Sequence, residues 1–201
     1  MYELRASDLS LVGQWTIPVA QQTPDADFGA TPTLFNGVIG GQSVPLVGAI
    51  DKNGIFYAFK RDALPSGPVW QTRVATGGGN PTTGNGPIAP AAFDGTAVYA
   101  GGDNTSGCGG TVNALNPSTG ASIWRHCFTG SGNFVEGAVT VTSGGAVVVG
   151  EGSNIAVVSA ATGASLFTYP TAGPVWGAAS VVGNTLYDGD ISGNLYALTT
   201  G

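Results

Sequence analysis

With 201 residues, 34 of them Gly, 42% hydrophobic and only 9% charged, the chain carries too much apolar surface for a disordered linker and reads as a tightly turned, mostly β globular protein. Twelve carboxylates against six Lys and Arg leave a net charge of −6, which provides no basic stripe to neutralise nucleic-acid phosphates. No apolar run approaches the roughly 18 residues of a membrane span, and the opening Met1-Tyr2-Glu3-Leu4-Arg5 lacks a signal peptide's apolar core, so an exported form is expected to have lost its leader.

In chain order, residues 2–6 and 13–15 read as the third and fourth strands of a four-stranded unit. Residues 32–35, 45–48, 55–59 and 68–70 then supply a complete unit, and 90–93, 97–100, 111–115 and 122–124 another, with Asn116-Pro117-Ser118-Thr119-Gly120 as its last turn. A further copy follows at 137–141, 146–150, 155–159 and 166–169. The final one, at 176–182, 185–187 and 195–198, breaks off at Thr199-Thr200-Gly201 before a fourth strand.

The units run at about 1–20, 27–76, 87–130, 134–171 and 175–201. A spacing of roughly 40 to 50 residues per four-stranded unit is that of propeller blades, which bury their faces only against their neighbours. The fold expected is therefore an all-β propeller of four-stranded antiparallel blades, with a β-sandwich or β-solenoid as alternatives. A small ring would leave residues 2–6 spare even if Gln14-Trp15-Thr16 completed the last blade, so an arc of a larger propeller is favoured. Its open ends are expected to be covered by remaining blades, a partner protein or another copy of the chain.

The run Ala114-Leu115-Asn116-Pro117-Ser118-Thr119-Gly120-Ala121-Ser122-Ile123-Trp124 resembles the tryptophan-docking repeat of pyrroloquinoline-quinone (PQQ) type propellers, with Asn116 in place of the usual Asp. Weaker copies stand at Ser159-Ala160-Ala161-Thr162-Gly163 and Ala197-Leu198-Thr199-Thr200-Gly201, with Phe167 where a Trp is usual. Small Ala residues let blades approach, and each indole buries a large area while its N–H finds a carbonyl.

Asp25-Ala26-Asp27-Phe28-Gly29 followed by Asp51-Lys52-Asn53-Gly54 is similar to quinoprotein alcohol dehydrogenases and polyvinyl-alcohol dehydrogenase-like proteins. In that family an Asp before an aromatic residue serves as base or calcium ligand, and a Lys or Arg before Asn-Gly contacts the quinone. The resemblance implies Asp27 as base or Ca²⁺ ligand and Lys52 as a contact to PQQ; Asp25 as a second Ca²⁺ ligand and Asn80 and Trp176 as further PQQ contacts are expected beside them. The chemistry is consistent, because carboxylates suit hard Ca²⁺ and an ammonium stabilises negative quinone oxygens. Against it, Asp27 caps a strand entry and Asp-Lys-Asn-Gly is itself a turn sequence. The chain also departs from the family: it has no adjacent Cys pair, no indole before Asp27, and Pro81 rather than Trp after Gly77-Gly78-Gly79-Asn80.

Cys108 and Cys127 come opposite each other when the hairpin is registered about Pro117-Ser118, so a cross-strand disulfide is expected, with free thiols or a metal pair as alternatives. The disulfide implies an oxidising, secreted or periplasmic, setting. His126 reads as a surface residue, and Asp188-Gly189-Asp190 and the loop 103–107 as turns. Glu136 and Trp176 each precede a first strand, the position that lines a propeller's central channel. The function expected is that of a quinoprotein dehydrogenase-like propeller completed by further blades. A non-catalytic platform for proteins or polysaccharides, or a self-assembling subunit, is the alternative.

Overall fold

The computed structural model describes residues 1–199, so the last turn expected, at Thr200-Gly201, lies outside the described residues. The strands form five consecutive antiparallel sheets. The first pairs β1 (Tyr2–Leu4) with β2 (Leu11–Gln14). The second is β3 (Thr33–Ile39), β4 (Gln42–Ile50), β5 (Ile55–Lys60) and β6 (Trp70–Arg73). The third is β7 (Ala92–Phe93), β8 (Val98–Gly102), β9 (Gly110–Leu115) and β10 (Ser122–Phe128). The fourth is β11 (Thr140–Val141), β12 (Ala146–Glu151), β13 (Asn154–Ser159) and β14 (Ser165–Pro170), and the fifth β15 (Ser180–Val182), β16 (Thr185–Gly189) and β17 (Leu195–Thr199). Each sheet pairs its strands in sequence order, as propeller blades do. No strand of the first sheet pairs with one of the last among the described residues, so the sheets form a partial propeller rather than a closed ring.

Period-two alternation builds the interfaces. In β5, Ile55, Tyr57 and Phe59 pack toward Trp15 and Ile17 of the preceding unit. Their neighbours Phe56 and Ala58 pack with Trp70 against Val98, Ala100 and Leu115 of the next blade. Tyr99, Val112 and Ala114 then face Val147, Val149 and Val158, and Val148 and Ile155 face Ala179 and Leu186. β5 is consequently apolar on both faces, and Phe56 to Phe59 are fully buried.

The indoles fasten these interfaces. Trp70 Nε1 donates to Pro117 O at 2.9 Å and Trp124 Nε1 to Ala160 O at 2.9 Å, each reaching the last turn of the following blade. Gly120 and Gly163 lie under these rings with φ of +71° and +70°, where an added Cβ would come within 2.4 and 2.5 Å of the indole. Two residues on, Thr72 Oγ1 donates to Gly120 O at 2.6 Å, and His126 Nδ1 lies 2.7 Å from Gly163 O. A carbonyl only accepts, so Nδ1 carries the hydrogen. His126 is thus an inter-blade residue, a correction to the surface reading.

The first strands of the last three units are shorter than the sequence suggests, residues 90–91, 137–139 and 176–179 staying outside the ladders, whereas β3 runs on to Ile39 beyond the expected 32–35. Near the blade edge the polar groups bond across to the neighbouring blade instead. Thr33 Oγ1 donates to Ala91 O at 2.7 Å, Val139 N–H to Pro90 O at 2.9 Å, and Thr140 Oγ1 to Ala179 O at 2.7 Å.

Candidate functional site

In an antiparallel blade the connection between second and third strands and the connection to the next blade emerge at the same sheet edge. Lys52, Asn53 and Asp103 lie on the former, and Asp25, Asp27, Asn80, Glu136 and Trp176 on the latter. One loop face therefore carries every site residue expected from the sequence.

Lys52 is clamped between two carboxylates. Its Nζ lies 2.7 Å from Asp25 Oδ2 and 3.1 to 3.2 Å from the two oxygens of Asp27. Asp25 reaches this position from a left-handed backbone, φ +59°, a conformation that Asp tolerates better than most residues. The Lys52 N–H also donates to Asp27 O at 3.1 Å, which fixes the two loops together. The lysine side chain is 12% exposed and its partners 62% and 54%. The ammonium is held above its ordinary value, first by the hydrogen bond to Asp25.

Asn80 belongs to the loop that continues this patch. Gly78 N–H donates to Lys52 O at 2.8 Å, and Gly79 packs so closely on Pro24 O that a Cβ would lie 2.6 Å from it. The Asn80 side chain accepts from Thr82 Oγ1 at 2.8 Å and is exposed. Pro81 and Thr82 then turn toward Ile88, Glu136 and Trp176, with which they line a cavity of about 110 Å³.

Beside this cavity lies a buried carboxyl pair. Asp103 is fully buried and Glu136 is 7% exposed; their carboxyls adjoin each other and the backbone N–H groups of Gly86 and Ile88, yet none of the four oxygens makes a well-formed hydrogen bond among the described residues. Burial pushes both groups well above the usual carboxylate range, and the Asp103 charge raises Glu136 further. Desolvated like charges share a proton more readily than they both ionise. Asp103 is therefore no solvated turn residue; its neighbourhood with Glu136 arises only when blades three and four pack.

The same face holds more buried acids. Asp51 accepts from Asn53 N–H at 2.8 Å, leaving Oδ2 without a partner among the described residues, and burial raises it to about 6. Burial raises Glu151 to about 7 and also raises Asp188. The sequence carried a signal for these: aligning the second strands puts Asp51 after Ile50, Asp103 after Gly102 and Glu151 after Gly150, one acidic slot per blade. Arg73 does not offset them, because its guanidinium donates to the carbonyls of Asn53, Ala75 and Thr76 at 2.9, 3.3 and 3.0 Å. No cluster of three or more metal-ligating side chains occurs among the described residues.

At the rim of this face Cys108 and Cys127 form a disulfide, Cα–Cα 5.4 Å. Asp190 shapes its own turn, accepting from Ser192 and Asn194 N–H and from Tyr196 OH.

The family described as PQQ_2, outer membrane protein assembly factor BamB, matches residues 53–201, and the chain belongs to this PQQ-like repeat family. No curated protein matches it in sequence. Among solved structures it is similar to BamB from Moraxella catarrhalis, at 20% identity and TM-score 0.61 over 95% of this chain and 53% of that one. It is also similar to a europium-containing methanol dehydrogenase, at 14% identity and TM-score 0.61 over 84% of this chain and 38% of that one. The quinohemoprotein alcohol dehydrogenase from Comamonas testosteroni is similar at 19% identity and TM-score 0.56, over 79% and 33%. At such identities the likeness concerns the fold. The chain spans about half the length of the BamB structure and a third or more of the dehydrogenases.

Proposed function

We propose that this chain is a non-catalytic segment of an extracytoplasmic PQQ-like propeller, whose acidic loop face docks a cationic segment of a protein partner. The observation that carries the reading is the closed ion pair of Lys52 with Asp25 and Asp27 on a face otherwise supplied with buried acids. PQQ is an anion that needs free cations, and Lys52 is already compensated twice. A Ca²⁺ ion between Asp25 and Asp27 would have to displace the ammonium that sits there, and the donor set does not fit it. The disulfide agrees with an oxidising compartment such as the periplasm or the exterior.

The rival reading, alcohol oxidation with Asp27 as base, draws on the contact of Asp27 with Lys52, the two residues that the quinoprotein resemblance implies. Native mass spectrometry of the chain titrated with PQQ and Ca²⁺ separates the two. The platform reading expects no stoichiometric adduct, together with salt-sensitive binding of an oligolysine peptide and none of an oligoglutamate. An adduct lost in both Asp27→Ala and Lys52→Ala would overturn it in favour of the quinoprotein.

A further inference from the structure

We propose that the cavity lined by Pro81, Thr82, Ile88, Trp176 and Glu136, whose carboxyl neighbours that of Asp103, is a binding site for a primary alkylammonium group. The inference deepens the platform reading and rests on it for the partner that would deliver the group, while the site itself stands on its own geometry.

Three observations lead there. First, Glu136 lines the cavity, is more than nine-tenths buried, and makes no well-formed hydrogen bond through either oxygen among the described residues, and the same holds for Asp103 beside it. Two carboxyls removed from water at this cost need a proton or a cation between them. Second, the remaining walls are apolar or aromatic: Pro81, Ile88 and the ring of Trp176, with Thr82 as the one hydroxyl. A hard divalent ion would find too few oxygens there, whereas an alkyl stem finds apolar contacts and an ammonium has an aromatic neighbour in Trp176. Third, the cavity, about 110 Å³, has room for a short alkyl stem, well above the ~10–15 Å³ that a single water needs on this scale. Trp176 is 42% exposed, so the cavity opens toward solvent. Lys52, the one basic side chain acting on Glu136 through space, is held by Asp25 and Asp27 and does not fill the position.

Charge balance makes the proposal specific. Before binding, the pair holds one proton and a charge of −1; the incoming ammonium takes the proton's place, leaving both carboxylates ionised, and one proton goes to solvent. Binding therefore tightens as pH rises, until the free amine itself loses its proton.

Isothermal titration of the purified chain with n-butylamine hydrochloride, in two buffers of different ionisation enthalpy, tests this. The expected result is saturable binding with release of about one proton, absent for 1-butanol. It should weaken at least 10-fold in Glu136→Gln and several-fold in Trp176→Ala, with the Trp176→Ala melting temperature expected to stay near that of the parent chain. Nα-acetyl-lysine methylamide distinguishes the source: tighter binding than butylamine marks a lysine in a peptide, weaker binding a free amine. Absence of saturable binding, equal affinity for 1-butanol, or butylamine binding unchanged in Glu136→Gln would overturn the site. Failure with butylamine while oligolysine still binds would sink this site alone and leave the platform reading intact.

Discussion

Trp70 donates its indole N–H to the carbonyl of Pro117 on the next blade at 2.9 Å, and the same bond recurs one blade on between Trp124 and Ala160. These contacts join units that share no strand pairing, so the blade interface depends on side chains. Trp70→Phe keeps much of the apolar contact but leaves the Pro117 carbonyl without its donor, at an expected cost of about 1–2 kcal/mol. Trp70→Ala should cost about 3–5 kcal/mol through the cavity it creates. Urea unfolding of both variants checks the order.

Gly120 and Gly163 are required twice over, by positive φ and by the ring above them. Gly120→Ala and Gly163→Ala should each destabilise by more than Gly95→Ala. Gly95 also has positive φ, +97°, but nothing within 4 Å of an added Cβ, so it reports the backbone cost alone, about 1 kcal/mol. Equal thermal shifts at the three positions would contradict tight indole docking.

The Cys108–Cys127 disulfide closes a loop of sequence separation 19. Chain-entropy arguments put its contribution at about 3 kcal/mol. Reduction, or the double Cys→Ser variant, should lower the urea midpoint accordingly while β-structure circular dichroism persists, because β9 and β10 stay paired through their ladder.

Stability should fall from mildly acid to mildly alkaline pH. Burial raises Asp51 to about 6 and Glu151 to about 7, and moves Asp103 and Glu136 in the same direction. In the unfolded chain such groups titrate near 4. From about pH 4 up to their folded values the native state holds protons that the unfolded state has lost, so unfolding releases protons and becomes easier as pH rises. Below about 4 both states are protonated and the burial penalty is absent. The melting temperature is expected to be lower at pH 9 than at pH 5, and Glu136→Gln to narrow that difference. A flat profile would argue that the pair is solvated.

Much of this protein is legible in its sequence. Alternating apolar runs, the Thr-Gly turns and the tryptophans at repeated offsets determine four-stranded units stacked side by side, because each feature acts within one unit or between neighbours. The hairpin about Pro117-Ser118 likewise brings Cys108 and Cys127 together by local register. What only the tertiary structure decided is the pairing of charges. Lys52 and Asp25 are 27 positions apart, Asp103 and Glu136 33, and their meeting depends on how successive loops fold over one sheet edge. The sequence lists Asp25, Asp27 and Lys52 as candidate ligands, but only packing decides that the lysine fills the space between the carboxylates. It also decides that Asp103, by its letter a turn residue, is buried beside Glu136, where burial rather than identity sets its chemistry.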